Sequence, residues 1–174
     1  GNTASVASGP ITGFGSVFVS QYEYATTNTT MTVDGKSGNQ SDLKKGMIVL
    51  VNATLNHNYG TSDPPQRTAN TLVYEDTIEG VVQSVAPDGS SLVVLGQTVA
   101  ITTTTIIDAT ILGQNILSLV PGQDLIEVSG FVSGPGTVVA TLIDRKVGPA
   151  DYQVKGFITQ HDERSNSFVI GNLA

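Results

Sequence analysis

The chain has 174 residues, of which 39% are hydrophobic and only 13% charged, and it carries a formal net charge of −7 at pH 7. That charge, set against 8 basic residues that form no cluster, excludes a nucleic-acid backbone as partner, because phosphate affinity rests on Lys and Arg. The lack of cysteine excludes disulfides, thiolate nucleophiles and thiolate metal sites, and no run approaches the roughly 18 apolar residues of a transmembrane helix.

Abundant Thr, Ser, Val and Gly favour strands and turns over helices. Residues 1–10 have neither the basic start nor the apolar stretch of a secretory signal and read as a flexible N-terminal tail of small residues. A strand over 11–19 is interrupted by Gly13 and Gly15, which predicts a bend or bulge. Tyr22 and Tyr24 alternate with polar neighbours, and Met31-Thr32-Val33 is a short strand. Asp34-Gly35 is expected to form a type I′ turn, since both its positions tolerate positive φ. Ser41-Asp42 would cap one helical turn. Residues 47–55 make the most apolar strand of this half, 56–67 a long loop with Pro64-Pro65, and 70–75 a returning strand.

In the second half, Val81, Val82 and Val85 lead to a turn at Pro87-Asp88-Gly89, and 92–95 form the next strand. Gly96-Gln97 fits a type II′ turn with Gly first, which would put Val93, Leu95, Val99 and Ile101 on one buried face. Asp108 is expected to cap a short helix over 109–117. Leu119-Val120-Pro121-Gly122 then turns the chain into a strand over 124–131, and Gly134-Pro135-Gly136 turns it again into 137–145.

The two halves share signposts. Ile78-Glu79-Gly80, Leu119 to Gly122 and Thr141-Leu142-Ile143 repeat Ile11-Thr12-Gly13, Leu43 to Gly46 and Thr71-Leu72-Val73, and a third opening stands at Val154-Lys155-Gly156. Each full unit holds about five strands, and a sheet that short has costly open edges unless it closes. The expected fold is therefore all-β: tandem OB-like five-stranded small barrels with at most one short helix each. The expected divisions are the tail 1–10, a first repeat 11–76, a second repeat 77–146, and a linker with an incomplete third repeat over 147–174. With no Pro and only Gly80 between Val73 and Val81, the junction of the full repeats should be stiff. Lys146-Val147-Gly148-Pro149-Ala150 should be looser. The third repeat stops inside a hairpin, and two strands alone are marginal in water. Residues 152–174 are thus expected to be ordered only by adding to another sheet, either that of the second barrel or that of a neighbouring molecule, the latter a route to self-association. The alternative is that they complete the second barrel.

A V-x-G opening, a hairpin, an L-x-x-G turn, a strand ending near V-x-G and an A-T-x-I/L stretch appear at Ile78 to Gly80, Leu119 to Gly122, Glu127-Val128-Ser129-Gly130 and Ala140 to Ile143. This order resembles a bacterial tandem-repeat family known only as a domain of unknown function. The first repeat departs from it, with Asn52-Ala53 in place of Ser-Gly and an extra loop carrying Pro64-Pro65. The resemblance covers nearly the whole chain. It implies an exported protein, periplasmic or on the cell surface, often a lipoprotein with a small-residue stretch after its anchor, as residues 1–10 would be. It brings no catalytic residues.

The chemistry-bearing residues are sparse. His57 and His161 are the only histidines, and two isolated imidazoles do not make a zinc set. His161-Asp162-Glu163 reads as a solvated turn matching Pro87-Asp88-Gly89. Gly13-Phe14-Gly15-Ser16 is not followed by a helix, so strand flexibility explains it better than a phosphate cradle. Glu75, Asp76 and Glu79 form the densest acidic cluster. A solvated junction is weighed above a calcium site or an acid–base pair. The loop 34–42 lacks the alternating ligands of a calcium loop. No catalytic, cofactor-binding or metal-binding residue is assigned, and no cofactor is implied. Tyr22, Tyr24 and Tyr59 form a candidate ligand surface, because OB-like barrels bind oligomers through aromatics on one face; half-buried strand tyrosines are the competing account. The expected function is an exported binding or spacer module without catalytic activity, with a protein or a glycan as partner. The alternatives are a carbohydrate-binding module and an enzyme using scattered carboxylates.

Overall fold

The computed structural model describes residues 1–58, 60–149, 152–156, 158–162, 164–165 and 167–173. The chain divides into two compact units, Gly1–Glu75 and Asp76–Ala174. Among the described residues, no helix is long and apolar enough to cross a membrane.

The first unit contains β1 (Asn2–Gly13), β2 (Val17–Val19), β3 (Tyr22–Tyr24), β4 (Thr30–Val33), β5 (Lys36–Gly38), β6 (Ile48–Asn56) and β7 (Gln66–Tyr74). β1 pairs with β2 and β6, β2 with β3, and β6 with β7. A parallel bridge from Ala25 to Thr68 brings the end of β3 onto β7 and completes the ring. Ile11, Val17, Val51, Leu72 and Tyr74 fill its interior. The strand break foreseen at Gly13 is a register shift between Ile11 and Gly13. Asp34 and Gly35, at φ of 50° and 75°, make the expected type I′ turn between β4 and β5.

The second unit contains β8 (Ile78–Val85), β9 (Ser91–Val94), β10 (Gln97–Ala100), β11 (Ile106–Ile107), β12 (Leu125–Gly134), β13 (Thr137–Lys146), β14 (Gln153–Val154), β15 (Ile158–Asp162) and β16 (Ser167–Ile170). β8 pairs with β9, β9 with β10, β10 in parallel with β13, β13 with β12, and β12 back to β8. Five strands thus close on themselves and leave no open edge among them, which is how so small a sheet avoids edge-to-edge association. Ile78, Val82, Leu92, Val94, Ile126 and Val128 line the core. The fold is the expected all-β arrangement of small barrels.

The helical signals are shorter than predicted. Two 3-10 turns, Leu112–Gln114 and Ile116–Ser118, stand between β10 and β12 where one helix was expected, with Ile111 and Ile116 buried as a plug. Gly113 at φ 64° separates them. Asp108 accepts a hydrogen bond from the Thr110 amide at 3.0 Å, and Asn115 caps the second turn. In the first unit Asn39, rather than Ser41, caps Gln40–Asp42, and the Asp42 carboxylate accepts a bond from the Asn39 amide.

The repeated motifs have common structural causes. Leu43 and Leu119 are buried, and Gly46 and Gly122 follow them at φ of 89° and 78°. The Gly46 amide donates to the Ile11 carbonyl at 2.8 Å, and the Gly122 amide donates to that of Val82 at 2.8 Å. The L-x-x-G turn therefore ties each unit's fourth barrel strand to its first. Opposite Asn52-Ala53 the partner strand β7 bulges at Asn70, and opposite Ser129-Gly130 β13 bulges at Thr141, so the departure at Asn52-Ala53 preserves the bulge. One shared contact was not foreseen. Thr29 donates its hydroxyl to the Ala69 carbonyl at 2.7 Å, and Thr105 donates to that of Ala140 at 2.7 Å. Each pins the segment after the third barrel strand to the last strand. Thr105→Val keeps the shape and removes the bond. It is expected to destabilise the second unit by about 1 kcal/mol in urea unfolding, and an unchanged midpoint would show that the clamp is idle.

Two expectations are corrected, and for the C-terminal segment the expected addition to the second barrel's sheet is found. The β9–β10 turn is Leu95-Gly96, type I′ at φ of 49° and 70°, not Gly96-Gln97. A shift of one residue exchanges the faces of a strand, so Leu92 and Val94 are buried in place of Val93 and Leu95, and Gln97 enters the interior at the start of β10. Residues 2–10, expected as a flexible tail, are strand: Asn2 to Pro10 pair in register with Asn56 to Ile48 of β6. Backbone pairing does not need large side chains, so small-residue composition misled. Residues 152–173 attach to the second unit. Gln153 and Val154 pair with Glu79 and Ile78, β15 pairs with β16, and the buried Gln97 amide donates to the Ile170 carbonyl at 2.7 Å. In the expected linker, Lys146 instead ends β13, residues 147–149 are exposed, and Ala150 lies outside the described residues.

Candidate functional site

The acidic residues separate by environment. Glu75 is exposed, whereas Asp76 and Glu79 are buried, at 0% and 2% exposure, against the expectation of a solvated junction. The reason is non-local. Glu79 faces Glu127 across the β8–β12 pair, an arrangement of like charges that would be destabilising alone. Lys146 at the end of β13 places Nζ 2.7 Å from Glu127 Oε2 and 3.6 Å from Glu79 Oε2. Nearby on β13, Asp144 accepts the Thr110 hydroxyl at 2.7 Å, and Arg145 pairs with Asp124 at 3.1 Å. Sequence reading missed Glu127, Asp144 and Lys146. The available signal was Glu127 itself, a lone charge between Ile126 and Val128 in an otherwise apolar strand. The network offsets part of the buried negative charge and cross-links three strands of the second barrel.

Both histidines are exposed, His57 after β6 and His161 within β15. His161 is thus a strand residue, and Glu163 lies outside the described residues. The matching turns are nevertheless built alike. The Ser90 hydroxyl and amide hold the Asp88 carboxyl below its ordinary pKa, and the Arg164 amide with the Ser165 hydroxyl does the same for Asp162.

The proposed tyrosine surface does not assemble. Tyr24 is a core residue at 2% exposure, while Tyr22, at the first position of β3, is 47% exposed. The barrel interior ends between them. Tyr59 lies outside the described residues. The Tyr22 ring is covered by Arg67, whose guanidinium carbon sits 4.1 Å from the ring centroid.

Beside this stack the first unit has a cleft of about 440 Å³. Ser16 enters from the β1–β2 connection, Glu23 from β3, Pro64 and Pro65 from the loop after β6, and Gln66 and Arg67 from the start of β7. Backbone pairing fixes the frame: Gln66 and Arg67 oppose Asn56 and Leu55 of β6, and the Ala25 amide donates to the Arg67 carbonyl at 2.9 Å. Arg67 Nη1 also donates to the Pro65 carbonyl at 3.5 Å, at the long limit of such a bond. Residues bearing a carboxylate, a guanidinium, an amide and a hydroxyl thereby line one cleft with two prolines.

Fold and site together define a protein of small closed β-barrels in tandem, the first of which carries a polar cleft lined by its third strand, the start of its last strand and adjoining loops. The profile described as "Domain of unknown function (DUF5666)" matches residues 6–61 and 79–144, one segment in each unit, and the chain belongs to that family. Comparison with curated proteins and with solved structures gave no match.

Proposed function

We propose that this chain is an exported, non-catalytic binding module whose ligand site is the cleft of the first barrel, with the second barrel acting as a spacer. The observation that carries this reading is the convergence of Ser16, Glu23, Gln66 and Arg67 on one cleft, with Arg67 held in place by Tyr22. A cation fixed against an aromatic face loses less freedom when it engages a ligand than a free one. The carboxylates of the second barrel support the non-catalytic part, because Glu79, Glu127, Asp124 and Asp144 are engaged by Lys146, Arg145 and Thr110 in contacts that tie strands together. Export rests on the family resemblance alone.

The reading is tested by screening a library of polar fragments against the isotopically labelled full chain by NMR. Hits are expected to converge on the amides of Ser16, Glu23, Gln66 and Arg67. Hits scattered over both units, with no preference for these amides, would leave only the spacer role.

A further inference from the structure

We infer that the cleft of the first barrel takes a neutral hexopyranose residue of a glycan, an assignment that rests on reading this cleft as the ligand site. A sugar presents adjacent hydroxyls, each able to donate and accept, above a ring face of C–H groups. The cleft offers the complement. Glu23 supplies acceptor oxygens, Arg67 a planar fork of donors, and Gln66 and Ser16 both kinds. A vicinal pair of hydroxyls can therefore give one proton to Glu23 and accept one from Arg67, with charge-assisted bonds on both sides. Pro64 and Pro65 provide the apolar wall on which the C–H face would rest.

Charge selects among polar ligands. Glu23 lines the same cleft as Arg67, the one basic residue in its lining, so a phosphate or carboxylate ligand would meet its own sign as well as its counter-ion. The whole chain carries a net charge of −7 and repels such ligands at longer range. A neutral polyol uses the acceptor and the donor together. Size agrees, for a cleft of about 440 Å³ falls within the roughly 300–1,000 Å³ typical of small-molecule sites. The aromatic residue acts indirectly here: Tyr22 orients Arg67 and need not stack on the sugar.

The experiment titrates the labelled full chain with the methyl pyranosides of glucose, galactose and mannose and, as a separate arm, with methyl glucuronide and glucose 6-phosphate. At least one neutral pyranoside is expected to shift the amides of Ser16, Glu23, Gln66 and Arg67 saturably. Glu23→Gln changes an exposed side chain and should weaken that binding about tenfold, by loss of a charge-assisted acceptor. Arg67→Met retains the aliphatic stem and should weaken it as much. Shifts with the anionic sugars alone would overturn the neutral assignment. Unchanged affinity in Glu23→Gln would overturn it too. No response to any sugar, while polar fragments still converge on the cleft, would refute the glycan and leave the binding module standing. Loss of both responses would remove the module reading itself.

Discussion

Replacing Lys146 with Met is expected to destabilise the second barrel by about 3–5 kcal/mol, because removing one partner of a buried ion pair leaves charge uncompensated. Two carboxylates lose the cation they share. Glu79 and Glu127 are 2% and 4% exposed and directly opposed across β8 and β12, and Lys146 is the cation that touches both. The Lys146 side chain is itself 34% exposed, so water reaches part of the site and the lower end of the range is the better expectation. The cycle with Glu127→Gln separates charge from packing. If stranded charge causes the loss, the double variant should recover much of it. Urea unfolding of the four proteins, monitored on the second unit, provides the check. A loss below about 1 kcal/mol would mean that this pair behaves as an ordinary surface salt bridge.

The second large effect is expected at Gly130. A Cβ placed there would lie 2.4 Å from the Val139 carbonyl oxygen and 2.8 Å from Val138 Cγ1, and the nearer atom is backbone, which cannot rotate away. Gly130→Ala should cost about 1–3 kcal/mol through overpacking, and Gly130→Val more. The corresponding bulge of the first unit already carries a Cβ at Ala53, which is 2% exposed. There the reverse change, Ala53→Gly, should cost only about 1 kcal/mol, mainly through backbone entropy. Thermal unfolding of both variants distinguishes the sites. Equal losses at Gly130→Ala and Ala53→Gly would show that β13 yields and that the close approach is not a constraint.

These two sites also show what could be read in advance. The family pattern asked for Ser-Gly at the bulge and met Asn52-Ala53, a departure visible in the sequence, yet the bulge persists in both units. The glycine answers a close approach by β13, and that neighbour is chosen by the barrel. Similarly, Glu127 could be seen as a charge in an apolar strand, but nothing local named Lys146 as its partner. The cleft was half legible. Tyr22 was singled out, while Glu23, Gln66 and Arg67 were not, because they come together only when β3 and β7 meet at the Ala25–Thr68 bridge.

What the sequence determined by itself is whatever depends on short-range stereochemistry. Turn glycines that need positive φ, the Asp34-Gly35 turn, the buried leucine of each L-x-x-G and the repetition of both in two halves follow from a few adjacent residues. They suffice to define an all-β chain of small repeated barrels. Tertiary structure alone decided register and partners. The β9–β10 turn moved by one residue because Leu95 accepts a φ of 49°, and with it the side chains of β9 changed face, while Val99 of β10 is buried as expected. The small-residue start became strand because β6 offers it a continuous run of backbone partners. Charges that look solvated in isolation are buried because β12 and β13 supply their neighbours. Local conformational preference is encoded within a few residues, whereas the environment of a side chain is set by strands from 19 to 67 positions away, as between Glu79, Glu127 and Lys146, and only the closed barrel brings them together.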